Sequence, residues 1–317
     1  MNAVKVISPG ALTTVQDAGR FGFLQSGISV SGVMDSYSHR AANLLVDNPQ
    51  EEAVLEVTLM GPVLEFQCST RIAVTGAVMQ LKLNDQPVPM WQTIPVKEGD
   101  RLSFAGIQGG CRAYIAFAGG LDVPVIMGSK STNLKAQMGG FEGRMLKRDD
   151  VVPLKAPSGE AKLWAASEEW IPKFPTQITL RAVLGPQEDL FTEEGIASFL
   201  NTEYVVTPAN DRMGYRLEGE EITHKVGADI VSDGIVMGAV QVPSSGQPII
   251  LMADRQTTGG YTKIATVVTA DLPLLAQAQA GTKIRFERVS VEEAQQLLRV
   301  FHEKLQAFAR TRRSVNG

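Results

Sequence analysis

The sequence of 317 residues is poor in the side chains that most often bind metals, with only three histidines and two cysteines. His39, His224 and His302 are widely scattered and show no metal-ligand spacing, so no metal site is predicted. Cys68 and Cys111 lie within apolar, strand-like runs. Two buried free thiols are therefore expected, with a single disulfide as the alternative.

The fingerprints of common stand-alone enzymes are also missing. No Gly-x-Gly occurs, which excludes the dinucleotide-binding fingerprint. No Gly-x-Ser-x-Gly nucleophile elbow occurs, and the nearest approach is at 27–31. Residues 128–131 superficially resemble a phosphate loop, but glycine does not precede Lys130 and no glycine stands at the required upstream position. These enzyme classes are therefore poorly supported.

Charge and hydropathy exclude further classes. The net charge of −4 gives no electrostatic reason to expect nucleic acid, and the basic residues Arg310, Arg312 and Arg313 are interpreted as a solvated tail. No uninterrupted apolar run reaches the roughly 20 residues that a membrane helix needs. The first ten residues lack the pattern of a signal peptide. A cytoplasmic protein without a membrane partner is predicted.

The sequence is rich in short β-branched runs separated by glycine and proline at intervals of about ten residues, which is typical of β-sandwiches and barrels. Such runs lie at 4–7, 53–57, 71–74, 113–117, 178–183, 249–252 and 264–269. Helices are few. Caps are expected at Asp35, Thr192 and Asp271, and Ser290 with Glu293 forms a capping box. The last helix carries one apolar stripe, formed by Leu297, Leu298, Phe301, Leu305 and Phe308.

Domain organisation follows from length and from a Pro- and Gly-containing junction at 155–175. We expect a first domain at 1–160 and a second, with the C-terminal helix, at 176–317. Residues 99–104 and 281–286 both read as a turn entering a strand, a faint echo between the two halves. The chain is therefore predicted to be mainly β, and the echo between its halves is consistent with a duplicated barrel.

Two candidate functional segments lie in the first half. Residues 13–22 can present Gln16, Asp17 and Arg20 together, with Arg20 binding a carboxylate or phosphate and Asp17 positioning an amide N–H. The alternative is a turn in which Asp17 and Arg20 pair with each other. Asp35 and His39, four residues apart on one helix face, form a possible proton-transfer pair. The favoured alternative is a helix cap and a surface histidine.

Two further segments lie in the second half. In 210–219, Arg212 and Arg216 have equal strand parity and are candidates for one anionic site, or for two surface salt bridges. In 238–261, uncharged and anionic hydrogen-bonding groups stand near flexible glycines, which suits a small polar amide or carboxylate. These groups are Gln241, Asp254, Gln256, Thr257 and Thr258. The alternative is a well-formed β-turn.

Together these segments resemble the family of the C subunit of bacterial ATP-dependent 5-oxoprolinase, also described as a second subunit of allophanate hydrolase and as a carboxyltransferase-like domain. The matching stretches are 13–22, 32–35, 113–121, 128–132, 139–144, 212–219 and 238–261. NDRMGYRLEG and QTTGGY are the most specific. The resemblance covers almost the whole chain.

The resemblance implies two cyclophilin-like β-barrel domains in tandem and partnership with A and B subunits. It implies an enzyme that cleaves 5-oxo-L-proline to L-glutamate with ATP as co-substrate, with or without Mg²⁺. The catalytic candidates are then Asp17, Arg20, Arg212 and Asp254. The substrate-binding candidates are Gln16, Gln241, Gln256, Thr257 and Thr258.

Three alternatives stand beside this function. The family is also linked to a regulatory protein that antagonises a B-subunit-like inhibitor of a histidine kinase. It is similar to a carboxyltransferase component of a biotin-dependent urea or amide carboxylase, although this chain lacks the Met-Lys-Met motif of a biotin carrier. A scaffold that only stabilises the B subunit is the third.

Overall fold

The computed structural model describes residues 2–157 and 162–315, which form two compact units. The described residues of 1–20, 31–174 and 304–317 belong to the first unit, and those of 21–30 and 175–303 belong to the second. The predicted domains 1–160 and 176–317 do not anticipate that residues 21–30 belong to the second unit and residues 304–315 to the first. The predicted boundary at residue 160 lies outside the described residues.

The regular elements are numbered in chain order. The strands are β1 (Ala3–Ser8), β2 (Leu12–Gln16), β3 (Val54–Thr58), β4 (Val63–Phe66), β5 (Thr70–Leu83), β6 (Gln86–Val88), β7 (Thr93–Val96), β8 (Arg101–Phe117), β9 (Val151–Pro153), β10 (Trp164–Ala165), β11 (Gln177–Leu184), β12 (Tyr204–Val206), β13 (Gly214–Glu218), β14 (Asp229–Gly234), β15 (Ala239–Gln241), β16 (Ile249–Leu251), β17 (Thr258–Tyr261), β18 (Lys263–Val267), β19 (Lys283–Arg288) and β20 (Arg313–Ser314). The α-helices are α1 (Ser36–Leu45), α2 (Glu193–Asn201), α3 (Leu272–Ala276) and α4 (Val291–Thr311).

The first unit is built on one curled sheet. Its described residues form a nine-stranded half-barrel with the order β2-β3-β8-β4-β1-β9, and β5 pairs with β6, β7 and β8. Side chains such as Leu55, Ile72, Ile115 and Phe117 are fully buried in its core. Each contributes about 1.5–3 kcal/mol relative to an exposed position. The half-barrel thus provides a rigid support for the loops described below.

The second unit contains a closed barrel, which its described residues form in the order β11-β18-β15-β16-β13-β12-β19. Strands β11 and β19 pair in parallel, and the other neighbours pair antiparallel. Leu180, Tyr215, Ile250 and Ile264 are fully buried. A separate two-stranded ribbon is formed by β14 and β17. The mainly β class is confirmed, with one closed barrel and one half-barrel.

The two cysteines are free, as predicted. Cys111 is buried and Cys68 is half-buried. The thiols therefore add apolar contact to the first unit and no covalent link between its strands.

Local capping rules predicted most helix starts. The Asp35 carboxylate accepts from the Ser38 backbone N–H at 2.9 Å, and the Thr192 hydroxyl accepts from the Gly195 N–H at 2.9 Å. Ser290 and Glu293 bond reciprocally, as a capping box requires. Asp271 occupies the N-cap position of α3, as predicted, but its side chain makes no capping hydrogen bond to the helix.

The Asp271 carboxylate instead accepts from Arg181, at 2.8 Å from the backbone N–H, 3.0 Å from Nε and 2.5 Å from Nη2. A charge-assisted pair of hydrogen bonds to a guanidinium is stronger than a neutral cap, so the distant partner prevails. The carboxylate therefore fixes β11 against the start of α3.

The predicted stripe on α4 is buried only at its C-terminal end. Leu305 and Phe308 are buried, while Leu297, Leu298 and Phe301 are half-buried. Phe308 packs edge-on against Trp170 with 6.5 Å between the ring centroids. Across the described residues, no helix is long and apolar enough to cross a membrane.

Candidate functional site

A polar loop, residues 129–132, organises the candidate site of the first unit. All four residues are buried although none of them is apolar. The Asp17 carboxylate accepts from Ser129 Oγ at 2.7 Å, from the Lys130 N–H at 2.5 Å and from Ser131 Oγ at 2.5 Å. It also accepts from the Gly19 N–H at 2.9 Å. Asp17 therefore orders its own turn and the polar loop together.

Arg20 is fully buried against the same loop. Its Nη2 donates to the Ser131 carbonyl and its Nε to the Ile126 carbonyl, each at 3.0 Å. Among the described residues, Nη1 has no hydrogen-bond partner. Burial lowers the pKa of the Arg20 guanidinium, and the nearby Asp17 carboxylate partly offsets this. A buried donor without a partner is costly, so Nη1 is suited to bind an anionic oxygen.

Gln16 is the third predicted residue at this loop, and it is also fully buried. Its Nε2 donates to the Thr132 carbonyl at 3.1 Å and to Thr14 Oγ1 at 3.0 Å. Within the described chain, Oε1 has no donor. The amide is therefore oriented with an unused acceptor, which is the group that a substrate N–H requires.

A cavity of about 370 Å³ in the first unit adjoins the polar loop. Ile126 and Gly139 line it, and both also contact Arg20. Gly139 has φ 72°, and a Cβ there would lie 2.1 Å from the Ser131 carbonyl oxygen and 2.7 Å from Arg20 Nη2. Only glycine fits this approach. The volume is in the range of small-molecule sites.

Lys130 lies in the stretch that superficially resembles a phosphate loop and that also belongs to the matching segment 128–132. It is buried, and its Nζ contacts the Glu52 carboxylate and donates to the Leu121 carbonyl at 2.8 Å. Burial lowers the pKa of Lys130, while the hydrogen bond to Glu52 acts in the opposite direction. Its buried polar contacts make the loop a candidate site, and the sequence had marked the loop only through the matching stretch 128–132.

His39 is buried, so the prediction of a surface histidine was wrong. Its Nε2 lies 2.8 Å from the Glu52 carbonyl oxygen, and the adjacent Asp35 serves as the helix cap. Burial lowers the pKa of His39, while the hydrogen bond to the Glu52 backbone and the Asp17 and Glu56 carboxylates act as smaller opposing effects. The histidine is therefore held neutral near pH 7.

We expect His39 to make the protein acid-sensitive. Since its folded pKa lies below the unfolded value of about 6.5, stability is constant above that pH and is lost as the pH falls through it. The loss approaches about 1.4 kcal/mol per pH unit for one proton. Urea denaturation at pH 7.5 and 5.5 should show a smaller loss for His39→Gln than for the wild type.

The control for this experiment is His302→Gln, because His302 is exposed on α4. His224, whose pKa burial also lowers, adds to the wild-type loss in both variants. An unchanged acid dependence in His39→Gln would exclude His39 as a source.

In the second unit, Arg212 and Asp254 bind each other. Arg212 Nε lies 2.8 Å from Asp254 Oδ2 and Nη2 lies 3.1 Å from Oδ1, with side chains 5% and 10% exposed. The Asp254 N–H also donates to the Arg212 carbonyl. Arg216 is exposed and donates to the Ala209 carbonyl, so the two arginines do not share one site.

The remaining predicted residues differ in burial. Gln241 is buried at the end of β15, where the register with β18 shifts, and its Nε2 has no partner among the described residues. Gln256 and Thr258 are exposed, and Thr257 is half-buried. Gln241 is therefore the predicted binding residue of this unit with a buried, unused donor.

Known proteins resemble this chain over most of its length. The sequence matches the family described as carboxyltransferase domain, subdomain A and B, over residues 26–288. It is 41% identical over 291 residues to the C subunit of 5-oxoprolinase from Escherichia coli, covering 92% of this chain and 93% of that protein. The corresponding protein of Haemophilus influenzae is 39% identical and equally well covered, with shares of 93% and 94%.

Larger proteins also contain a similar region. The crystal structure of the Kluyveromyces lactis urea carboxylase matches with a TM-score of 0.91 and 35% identity. The match covers 96% of this chain but only 29% of that chain. Urea amidolyase of Lachancea kluyveri is 35% identical, and 17% of its length is covered.

Proposed function

This chain belongs to the family of carboxyltransferase domains, subdomains A and B, and on that premise we propose that it is a subunit of an ATP-dependent 5-oxoprolinase. The observation that most supports this proposal is the 41% identity to the C subunit of the E. coli 5-oxoprolinase, which extends over nearly the full length of both chains. In the proposal the chain acts together with A and B subunits in the cytoplasm. The assembly hydrolyses 5-oxo-L-proline to L-glutamate while ATP becomes ADP and phosphate.

The chemistry explains why ATP is needed. A lactam is a poor electrophile, and transfer of a phosphoryl group to its oxygen makes the ring carbon open to attack by water. Breaking the ring C–N bond then gives the amine of glutamate and leaves its side chain as an acyl phosphate. A second water hydrolyses this acyl phosphate to the side-chain carboxylate and inorganic phosphate. The task of the protein is to hold the lactam, its carboxylate and the phosphoryl donor in line. The proposal assigns ATP to the assembled enzyme and no nucleotide site to this chain.

Roles in the first unit follow from the unused atoms at the polar loop. Arg20 Nη1 binds an oxygen of a phosphate or carboxylate group, and Gln16 Oε1 accepts an N–H of the ligand bound there. Asp17 is a positioning residue, because its oxygens already hold the loop that Arg20 contacts. The buried surroundings strengthen each of these contacts relative to water.

Roles in the second unit depend on the ion pair. Arg212 and Asp254 act as a pair that fixes the turn preceding Gln256 and Thr257. Gln241, Gln256, Thr257 and Thr258 supply hydrogen bonds to a small polar ligand. Gln241 is the strongest of these, since its donor is already desolvated.

The test is an omission experiment. Purified A and B subunits and this chain are mixed with ATP and 5-oxo-L-proline, and ADP and glutamate are measured with each protein left out in turn. We expect both products to disappear when this chain is omitted. Undiminished turnover without the chain would reject the proposed function.

Carboxyl transfer is the second candidate, because the likeness to the K. lactis urea carboxylase has a TM-score of 0.91. This function requires a biotinylated carrier and a biotin carboxylase supplied by other proteins. Addition of both to the purified chain, with bicarbonate, ATP and urea, would give carboxylated urea. Product in this mixture, with none from 5-oxoproline, would favour the second candidate.

A further inference from the structure

Arg255 is a buried cation of the second unit to which no role has been assigned. It is 6% exposed, and its Nε donates to the Ile235 carbonyl at 3.1 Å and its Nη1 to the Met252 carbonyl at 3.2 Å. No carboxylate among the described residues lies within ion-pair distance of it. Burial alone lowers the pKa of Arg255 to about 10, without a neighbouring acid to oppose the effect. Buried charges are normally paired, so this one lacks its counter-ion.

The adjacent acid cannot supply that counter-ion. Asp254 precedes Arg255 in the chain, but both of its oxygens accept from Arg212. Arg255 uses two of the five N–H donors of a guanidinium, and Nη2 has no acceptor in the described part of the chain. The Arg255 carbonyl is itself held by Ser29 Oγ at 2.7 Å. The arginine is thus fixed in place with donors to spare.

A series of contacts links Arg255 to the unused amide of Gln241. Ile235, whose carbonyl accepts from Arg255, lies beside Gly259, and so does Gln241. A Cβ at Gly259 would be 2.6 Å from Ile235 Cδ1 and 2.7 Å from Gln241 Nε2. Only glycine therefore allows β17 to pass this close to the amide of Gln241.

Lys263 is a second buried cation, and it lies next to Gln241. It is the strand partner of Gln241 and is 3% exposed, and its Nζ lies 3.1 Å from Asp233 Oδ2. Asp233 pairs in turn with Gly259 across the ribbon, and its side chain is 55% exposed. One solvated carboxylate against two buried cations, Arg255 and Lys263, leaves the cluster with a positive charge. An anionic ligand is therefore attracted to it.

We propose that this polar cluster, formed by Arg255, Gln241, Lys263, Asp233 and Gly259, binds the carboxylate of a small amide-bearing acid. Arg255 and the positive charge of the cluster hold the carboxylate, and Gln241 Nε2 donates to the carbonyl oxygen of the amide. The proposal rests on the proposed function for the identity of the acid, 5-oxo-L-proline. Within the second unit it gives the carboxylate to Arg255 rather than to Arg212.

Binding to the purified full chain tests the proposal. Calorimetric titration or ligand-observed NMR would compare 5-oxo-L-proline, 2-pyrrolidinone (the same lactam without the carboxylate) and inorganic phosphate. We expect the wild type to prefer 5-oxo-L-proline, and Arg255→Met to weaken its binding at least tenfold. The control is Arg288→Met, an exposed arginine at the end of β19, which should bind as the wild type does.

A second variant covers the case in which Arg255→Met does not fold. Gln241→Glu keeps the shape of the side chain and places a negative charge beside the buried cations, so it should also abolish binding of the carboxylate. Wild-type affinity in either folded variant would overturn the proposal. Equal binding of 2-pyrrolidinone, stronger binding of phosphate, or no binding of 5-oxo-L-proline by the wild type would do the same.

Turnover by the reconstituted assembly tests the proposed function separately from ligand binding. Arg255-dependent binding without turnover by the reconstituted assembly would reject the proposed function and leave this site standing. Normal turnover and KM for 5-oxo-L-proline in Arg255→Met would reject the site and leave the function standing.

Discussion

Replacing Asp17 with alanine should lower the free energy of unfolding by about 3–5 kcal/mol, because donors in the polar loop lose a charged acceptor. The carboxylate accepts from three groups of the loop and from Gly19. Two of those groups are backbone N–H groups, which cannot turn away to another partner. Urea denaturation of the purified variant measures the loss.

Two variants calibrate this result. Asp122→Ala removes an exposed carboxylate of the same unit and should change stability by less than about 0.5 kcal/mol. Ser131→Ala removes one of the donors and should cost about 1–3 kcal/mol. An Asp17→Ala protein as stable as Asp122→Ala would show that the loop does not depend on this carboxylate.

Arg212→Ala should be similarly damaging, with a loss of about 3–5 kcal/mol, because it leaves Asp254 buried without its counter-ion. The double variant Arg212→Met with Asp254→Leu should recover much of the loss, since it removes both charges and keeps apolar volume. A cycle of the wild type, Arg212→Met, Asp254→Leu and the double variant, measured by urea denaturation, gives the coupling energy. Arg216→Ala, in an exposed arginine on β13, is the matched control.

Additive single losses in that cycle would show that the pair contributes nothing through its contact. The same Arg212→Ala protein also tests the proposed positioning role of the pair, provided that it remains folded at the assay temperature. Turnover of the reconstituted assembly should fall, and unchanged turnover would show that Arg212 has no part in the reaction.

The helix caps and strands that were predicted correctly depend on residues close to one another in the chain. The caps at Asp35 and Thr192 need an acceptor only three residues before its donor, so residue type and position suffice. Strands β3, β16 and β18 coincide with the predicted β-branched runs, because strand propensity is also a property of residues adjacent in the chain. Gln16, Asp17 and Arg20 were expected to be presented together by one segment, and all three contact residues 131 or 132, while their functional roles stay predictions.

What the sequence missed depends on partners far along the chain. Asp17 is joined to a loop more than 110 residues away, and Asp271 is joined to Arg181 90 residues away. No local pattern encodes which of several acids will meet a given arginine. Arg255 was missed because it resembles any other charged turn residue until the pairing of Asp254 with Arg212 is known.

The C-terminal end of α4 has a consequence for biosynthesis. Arg312 contacts the Leu44 carbonyl, donates to Asp47 at 2.9 Å and stacks on Trp164 at 4.2 Å, all within the first unit. Chains usually fold from the N-terminus as they leave the ribosome. Here the half-barrel translated first stays incomplete until residues 304–315 have emerged. Until then, its unfinished surface is available to chaperones and to other nascent chains.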